Sequence, residues 1–385
     1  MSRLDTYEQV MMGTFARPPV VITRGQGVHL WDETGKPYLD LLAGIACVAL
    51  GHANPVVADA ISDQARTLGH VSNLFATDTQ IALAERLTGL LGHQAKVFFT
   101  NSGTEANEAG FKLARLTGRT RIVAAEGSFH GRTIGALALT STAKYRQPFE
   151  PLPGEVAWVP YGDAEALAGA VDDRTAAIVL EPIQGESGVI VPPDGYLEAA
   201  RRIADQHGAL LWLDEVQSGM GRTGEWFAHT REGVRPDIVT LAKALGNGFP
   251  IGAALATGPA ADLFTVGAHG TTFGGNALAC RVGLTVLDQI EPLLPKVQAT
   301  GRWLIEQLRG LPGVAEVRGR GLFIGVRLDQ AVAPQLVAAA LNRGVIINAP
   351  RPDTLRLVPP LIITEADLVP FLEAWPALFE EARHG

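Results

Sequence analysis

Ala176-Ala177-Ile178-Val179-Leu180 is followed by a helical pattern over residues 196–207 and then by Leu210-Leu211-Trp212-Leu213. Two apolar runs of strand length with a helix between them form a strand–helix–strand unit, which places its strands side by side in parallel. The same rhythm continues outward. Upstream, Val97-Phe98-Phe99-Thr100 leads into a helix ending near residue 116, and Ile122-Val123-Ala124 follows it. Downstream, Ile238-Val239-Thr240-Leu241 and Ala253-Ala254-Leu255-Ala256 extend the sheet. The order of elements therefore predicts an α/β protein built on a mostly parallel sheet. From Asn276 the pattern changes. Residues 276–309 read as long helices, and the remainder reads as a small α+β unit with strands near 322–326 and 355–358. The first fifty residues contain a hairpin, with one arm at 28–31, a glycine-containing turn at 32–35 and a second arm at 38–40. The expected organisation is an N-terminal segment (1–50) packing with the small domain, a large domain (51–275), and connecting helices with the small domain (276–385).

Composition narrows the function. The chain has 385 residues, of which 47% are hydrophobic and 19% charged, and 32 Lys plus Arg stand against 40 Asp plus Glu. Such a chain buries a large core, and a net charge of −8 without any basic run gives no electrostatic footprint for nucleic acid or a membrane surface. A small-molecule partner follows as the default. Cys47 and Cys280 are the two cysteines, too few for a disulfide framework and without metal-ligand spacing, which fits a reducing compartment. The first ten residues carry Asp5 and Glu8 and have no apolar signal-peptide core. The longest apolar run, 41–50, is about half of a membrane span. A soluble, cytoplasmic protein is expected.

Three positions carry chemistry. In Thr100-Asn101-Ser102-Gly103-Thr104-Glu105 a strand gives way to a helix, with Ser102 and Glu105 at capping-box spacing. Unpaired N–H groups and the helix dipole at such a start attract a phosphate, although an ordinary capped helix has the same signature. In Leu213-Asp214-Glu215-Val216-Gln217 two carboxylates follow a strand, at the end where open α/β sheets hold ligands. An Asp there can hold a protonated ring nitrogen or a metal, or merely cap a loop. Lys243, in Ala242-Lys243-Ala244-Leu245-Gly246, sits after another strand beside small and apolar residues. Most lysines are solvated surface charges, but a desolvated one loses its proton and attacks carbonyls. Gly219-Met220-Gly221-Arg222-Thr223-Gly224 matches the dinucleotide fingerprint G-x-G-x-x-G, but the preceding strand ends too early and no clear apolar helix follows. No phosphate-loop lysine motif or zinc H-E-x-x-H motif exists, so no metal is expected. Taken together, a phosphate cradle, a strand-end Asp and a Lys 29 residues later are the parts that pyridoxal phosphate requires.

Six ordered motifs carry a resemblance that extends over nearly the whole chain: 98–108 around Asn101-Ser102-Gly103-Thr104, Ser128-Phe129-His130-Gly131-Arg132-Thr133, Glu181-Pro182-Ile183-Gln184-Gly185-Glu186, Leu213-Asp214-Glu215-Val216-Gln217, Leu241-Ala242-Lys243-Ala244-Leu245-Gly246, and His269-Gly270-Thr271-Thr272-Phe273-Gly274-Gly275-Asn276. In these the sequence resembles the class III (subgroup II) aminotransferases of fold type I, and within them the acetylornithine branch. The resemblance implies a seven-stranded, mostly parallel sheet in the large domain and pyridoxal 5'-phosphate as cofactor. Lys243 would form the Schiff base, Asp214 pair with the ring nitrogen, Gln217 bond the ring hydroxyl, and Ser102, Gly103 and Thr104 hold phosphate. Phe129 and Val216 would cover the two ring faces. Thr272 would reach the phosphate of a neighbouring subunit, making a homodimer. Arg132 and Arg356 would grip the carboxylates of glutamate or 2-oxoglutarate, Thr271 would contact substrate, and Glu181 would be the switch that pairs with Arg356. The implied reaction is a ping-pong transfer of the terminal amino group of N-acetylornithine to 2-oxoglutarate.

Three positions depart from the family's pattern. Ala76 replaces an expected tyrosine, Thr271 replaces a serine, and Asn276-Ala277 replaces Asn-Pro. Ornithine, 4-aminobutyrate, N-succinyldiaminopimelate or carrier-linked lysine therefore remain alternative amino donors, since such enzymes share cofactor residues and differ around the substrate tail. An aminomutase, or a non-catalytic binding protein on an inherited fold, stays open as a further reading.

Overall fold

The computed structural model describes residues 2–384. After a helix at Arg3–Val10, three short strands follow: β1 (Ile22–Gln26), β2 (His29–Asp32) and β3 (Pro37–Asp40), paired antiparallel in that order. Asp32 closes the second turn. Its carboxylate accepts hydrogen bonds from the Thr34 hydroxyl, the Tyr38 hydroxyl and the backbone N–H groups of Thr34 and Lys36. These bonds, led by that from the Thr34 hydroxyl, hold its pKa at about 2.

Seven strands make the central sheet: β4 (Ala95–Thr100), β5 (Arg121–Ala125), β6 (Glu155–Val159), β7 (Thr175–Leu180), β8 (Leu210–Asp214), β9 (Ile238–Leu241) and β10 (Gly252–Thr257). Their order is β4-β10-β9-β8-β7-β5-β6. β10 runs antiparallel to both neighbours, while the remaining pairs are parallel, so the mostly parallel α/β expectation holds. Every residue of β7, β9 and β10 is buried, because helices cover both faces of a parallel sheet and select continuous apolar runs. β6, unannounced in the sequence reading, is a partly exposed edge strand without such a run.

The helix Gly103–Leu116 lies close against this sheet. A Cβ at Gly110 would stand 2.5 Å from the buried Trp212 ring, so glycine permits the approach that sets the helix start beside the strand ends. Beyond the sheet come the helices Ala277–Ile290 and Leu294–Arg309, then β11 (Val314–Arg320), β12 (Phe323–Leu328), β13 (Val345–Ile346), β14 (Asn348–Arg351) and β15 (Thr354–Leu357). Four of these form an antiparallel sheet in the order β11-β12-β15-β14. β13 instead pairs in parallel with β3, placing Val345 opposite Leu39, so the N-terminal segment and the C-terminal portion share a sheet. The sequence reading lacked β11, β13 and β14. β11 carries Glu316, Arg318 and Arg320 and lacks an apolar alternation, and β13 is only two residues long.

Candidate active site

The first element is the start of the Gly103–Leu116 helix. Ser102 is its N-cap and accepts from Glu105 N at 3.3 Å. The reciprocal half of the expected capping box differs, because the Glu105 carboxylate passes the cap and takes the Asn101 backbone and side-chain N–H groups, both at 2.8 Å. No described residue accepts from the backbone N–H groups of Ser102, Gly103 and Thr104. They form a cradle for an anion where the helix dipole is positive. A Cβ at Gly103 would lie 2.7 Å from Val216, so the absence of a side chain lets the cradle approach the opposite wall.

Asp214 ends β8, is 4% exposed, and faces the same cavity of about 410 Å³. One carboxylate oxygen accepts from Val216 N at 3.0 Å; the other accepts from Asn107 Nδ2 at 2.8 Å and pairs with His130 Nδ1 at 2.7 Å. Burial opposes charging His130, yet the hydrogen bond and charge of Asp214, aided by Glu181, leave its pKa raised. Three partners hold this buried carboxylate in one orientation, where it can face a cationic ligand atom. Glu215, the second acid of the pair, is turned away. It bonds His229 and Ser218 and does not line the cavity.

Lys243 enters the cavity after β9 from a backbone with φ of +46°, a left-handed conformation that costs energy for a side-chain-bearing residue. Asn247, also left-handed, anchors this turn by accepting from Leu50 N and donating to Gly51 O. Desolvation dominates the environment of Lys243 and lowers its pKa against the opposing charges of Glu186 and Asp214. Phe129, Val216, Gln217 and Glu181 also line the cavity, as does Cys47 from the N-terminal segment.

Arg132 lines the cavity with its guanidinium 3.5 Å from the centroid of the Tyr145 ring and 5.7 Å from that of Phe129. Stacking orients the group, and no carboxylate among the described residues pairs with it. Arg356 is 1% exposed on β15, outside the cavity wall, and donates to Glu186, Gln217 and Asn348. The expected Glu181–Arg356 pair is therefore corrected: Glu186 is the partner. Glu181, at the end of β7, has its carboxylate taken by Phe129 N at 3.0 Å and Gly185 N at 3.2 Å. The chain then turns through Gln184 and Gly185, whose missing side chain leaves room for Gln217, and carries Glu186 against β15. Burial, with the nearby Asp214 charge, pushes Glu181 up to about 7 although His130 and the two N–H donors oppose the shift.

Thr271 and Thr272 do not line the cavity of their own chain. Thr271 accepts from Asn101 Nδ2 and Gly274 N, which ties its loop to the cradle, and Thr272 is exposed. Sequence reading missed Asn107, His130 and Glu186 as functional positions. All three stood inside the quoted motifs, but nothing in linear order says which polar side chain of a motif faces inward. Tyr145 and Asn348 carried no motif signal.

A phosphate cradle, a buried acid and a desolvated lysine around one cavity, at the ends of a mostly parallel sheet, are the arrangement of an enzyme for amine–carbonyl exchange. The chain belongs to the class-III aminotransferases, whose family model matches residues 12–377. An acetylornithine aminotransferase of Mycolicibacterium smegmatis is 54% identical over 387 residues, spanning 99% of both chains. Among solved structures, the N-acetylornithine aminotransferase of Stenotrophomonas maltophilia superimposes with a TM-score of 0.83 at 36% identity, covering 98% of both chains. The ornithine aminotransferase of Toxoplasma gondii, described with partial occupancy of PLP at its active site, gives 0.92 at 32% identity over 98% of this chain and 95% of that one.

Proposed function

We propose that the chain transfers the terminal amino group of N-acetylornithine to 2-oxoglutarate, giving N-acetylglutamate 5-semialdehyde and glutamate, with pyridoxal 5'-phosphate as cofactor. The observation that carries the chemistry is the convergence of Lys243, Asp214 and the Ser102–Thr104 cradle on one cavity. When bound, the cofactor supplies an aldehyde carbon for exchange with amines and an electron-withdrawing ring. The residues fit it. Three free N–H groups would hold the phosphate, the His130- and Asn107-buttressed Asp214 the ring nitrogen, Gln217 the ring hydroxyl, and Phe129 with Val216 the ring faces. Thr272 from a second copy would complete the phosphate site.

The lowered pKa of Lys243 leaves more of its Nζ unprotonated at a given pH, so it is free to take and return the substrate proton. Arg132, held over the Tyr145 ring, binds a substrate carboxylate with a bidentate fork. The Glu186 carboxylate keeps Arg356 neutralised when the donor presents a terminal amine and yields it to the second carboxylate of glutamate. The apolar walls exclude water and strengthen these interactions.

The acetylornithine assignment rests on relatives at 54% identity across the chain. Ornithine is the second reading, favoured by the TM-score of 0.92 against 0.83. Steady-state kinetics with 2-oxoglutarate and each amine separate them. The highest kcat/KM is expected for N-acetylornithine; a higher value for ornithine, 4-aminobutyrate or N-succinyldiaminopimelate overturns the donor while leaving the class. Turnover without added keto acid overturns the transfer. Homodimerisation and a cytoplasmic setting belong to the same proposal, the latter supported by two cysteines that stay free.

A further inference from the structure

The glycine-rich segment that mimics a dinucleotide fingerprint has another use. No helix starts there. Its Thr223, with the residues that follow it, lines a second cleft of about 400 Å³ that shares no residue with the Lys243 cavity. Three parts of the chain meet in it: the Thr223–Arg231 stretch, the Leu294–Arg309 helix, and the hairpin joining β11 to β12. The parts are locked together. A Cβ at Gly224 would stand 2.2 Å from Gln298 Cγ, and one at Gly321 would stand 2.5 Å from the Thr223 backbone. Gln298 Nε2 donates to Gly224 O at 3.0 Å. Arg222, fully buried beneath, donates to Leu322 O and Pro359 O and joins the loop to the C-terminal portion.

Arg231, Arg302 and Arg320 line this cleft, against the single acid Glu225, which accepts from the Thr230 hydroxyl. Arg320 has a distant pairing at 3.6 Å with the exposed Asp194; no carboxylate among the described residues pairs with Arg231 or Arg302. Thr223 also lines the cleft, is 7% exposed, and its hydroxyl has no hydrogen-bond partner among the described residues. An orphaned buried hydroxyl costs free energy unless a ligand completes it. Guanidinium forks with a hydroxyl are a donor set for phosphoryl or carboxylate oxygens, and three cations against one acid favour a ligand of two or more negative charges.

We propose that this cleft is a second binding site, for a small polyanion carrying phosphoryl or multiple carboxylate groups. The test is calorimetric titration of the cofactor-loaded enzyme with pyrophosphate and, separately, citrate at low ionic strength. One saturable site per chain is expected for at least one of them, and the tighter of the two identifies the phosphoryl or the carboxylate source. Arg302→Glu should weaken binding by about tenfold or more, as loss of a charge-assisted contact does. Arg309→Glu, the same charge change at an exposed position on the same helix outside the cleft, should leave binding unchanged. Absence of saturation overturns the site, as do equal losses in both variants, which report general attraction, or displacement of cofactor by the anion, which reports the Ser102–Thr104 cradle.

Discussion

Glu181 and Glu186 stand five residues apart and occupy opposite electrostatic settings. Glu186 faces Arg356, and that guanidinium is the main influence that lowers its pKa against burial. Glu186→Ala leaves Arg356 without a carboxylate, so the ratio of kcat/KM for N-acetylornithine to that for glutamate should fall by about tenfold or more, the scale of a charge-assisted contact. An unchanged ratio would remove Glu186 from donor selection. Glu181 sits near a pKa of about 7 against an ordinary 4.5. Between those values the native state binds more protons than the unfolded chain, so stability falls as pH rises through the window and levels off above it. The total is about 3 kcal/mol. Glu181→Gln, which still accepts from Phe129 N, should flatten that dependence in denaturant titrations of the cofactor-free protein; a slope equal to wild type would contradict the assigned environment.

At the scale of elements, the site depends on how closely the Gly103–Leu116 helix lies on the sheet. Gly110→Ala places a methyl against Trp212, which is surrounded by other buried side chains, so overpacking should cost about 1–3 kcal/mol and loosen cofactor binding through the displaced cradle. Gly89→Ala, in the Asp78–Leu91 helix with nothing within 4 Å of the added carbon, should instead be stabilising by about 0.5–1 kcal/mol. Thermal unfolding of the two variants checks the contrast, and equal effects would mean that packing at Gly110 does not set the helix position.

For the whole molecule, Leu74, Phe75 and Phe273 are 86%, 67% and 58% exposed, on two loops joined by Asn73 Nδ2 donating to Gly274 O at 3.1 Å. Such side chains clustered beside Thr272 are the surface that the proposed homodimer would cover. The protein should sediment as a dimer, and Phe273→Asp should shift it toward monomer with parallel loss of turnover. A monomeric wild type, or a monomeric variant with full activity, would refute a shared site.

The sequence by itself determined the alternation of strands and helices through most of the central sheet, that sheet's mostly parallel character and the placing of Lys243, Asp214 and the cradle after its strands. Apolar runs and helix starts are local, and each of those groups follows directly from a strand end. Which acid meets Arg356 was decided only in three dimensions, because Glu181 and Glu186 differ by one turn whose direction depends on Phe129, Gly185 and β15. Short or polar strands such as β13 and β11 are likewise defined by their partners rather than by their own residues. His130 and Asn107 acquired their purpose only when folding brought them against Asp214, 84 and 107 positions away.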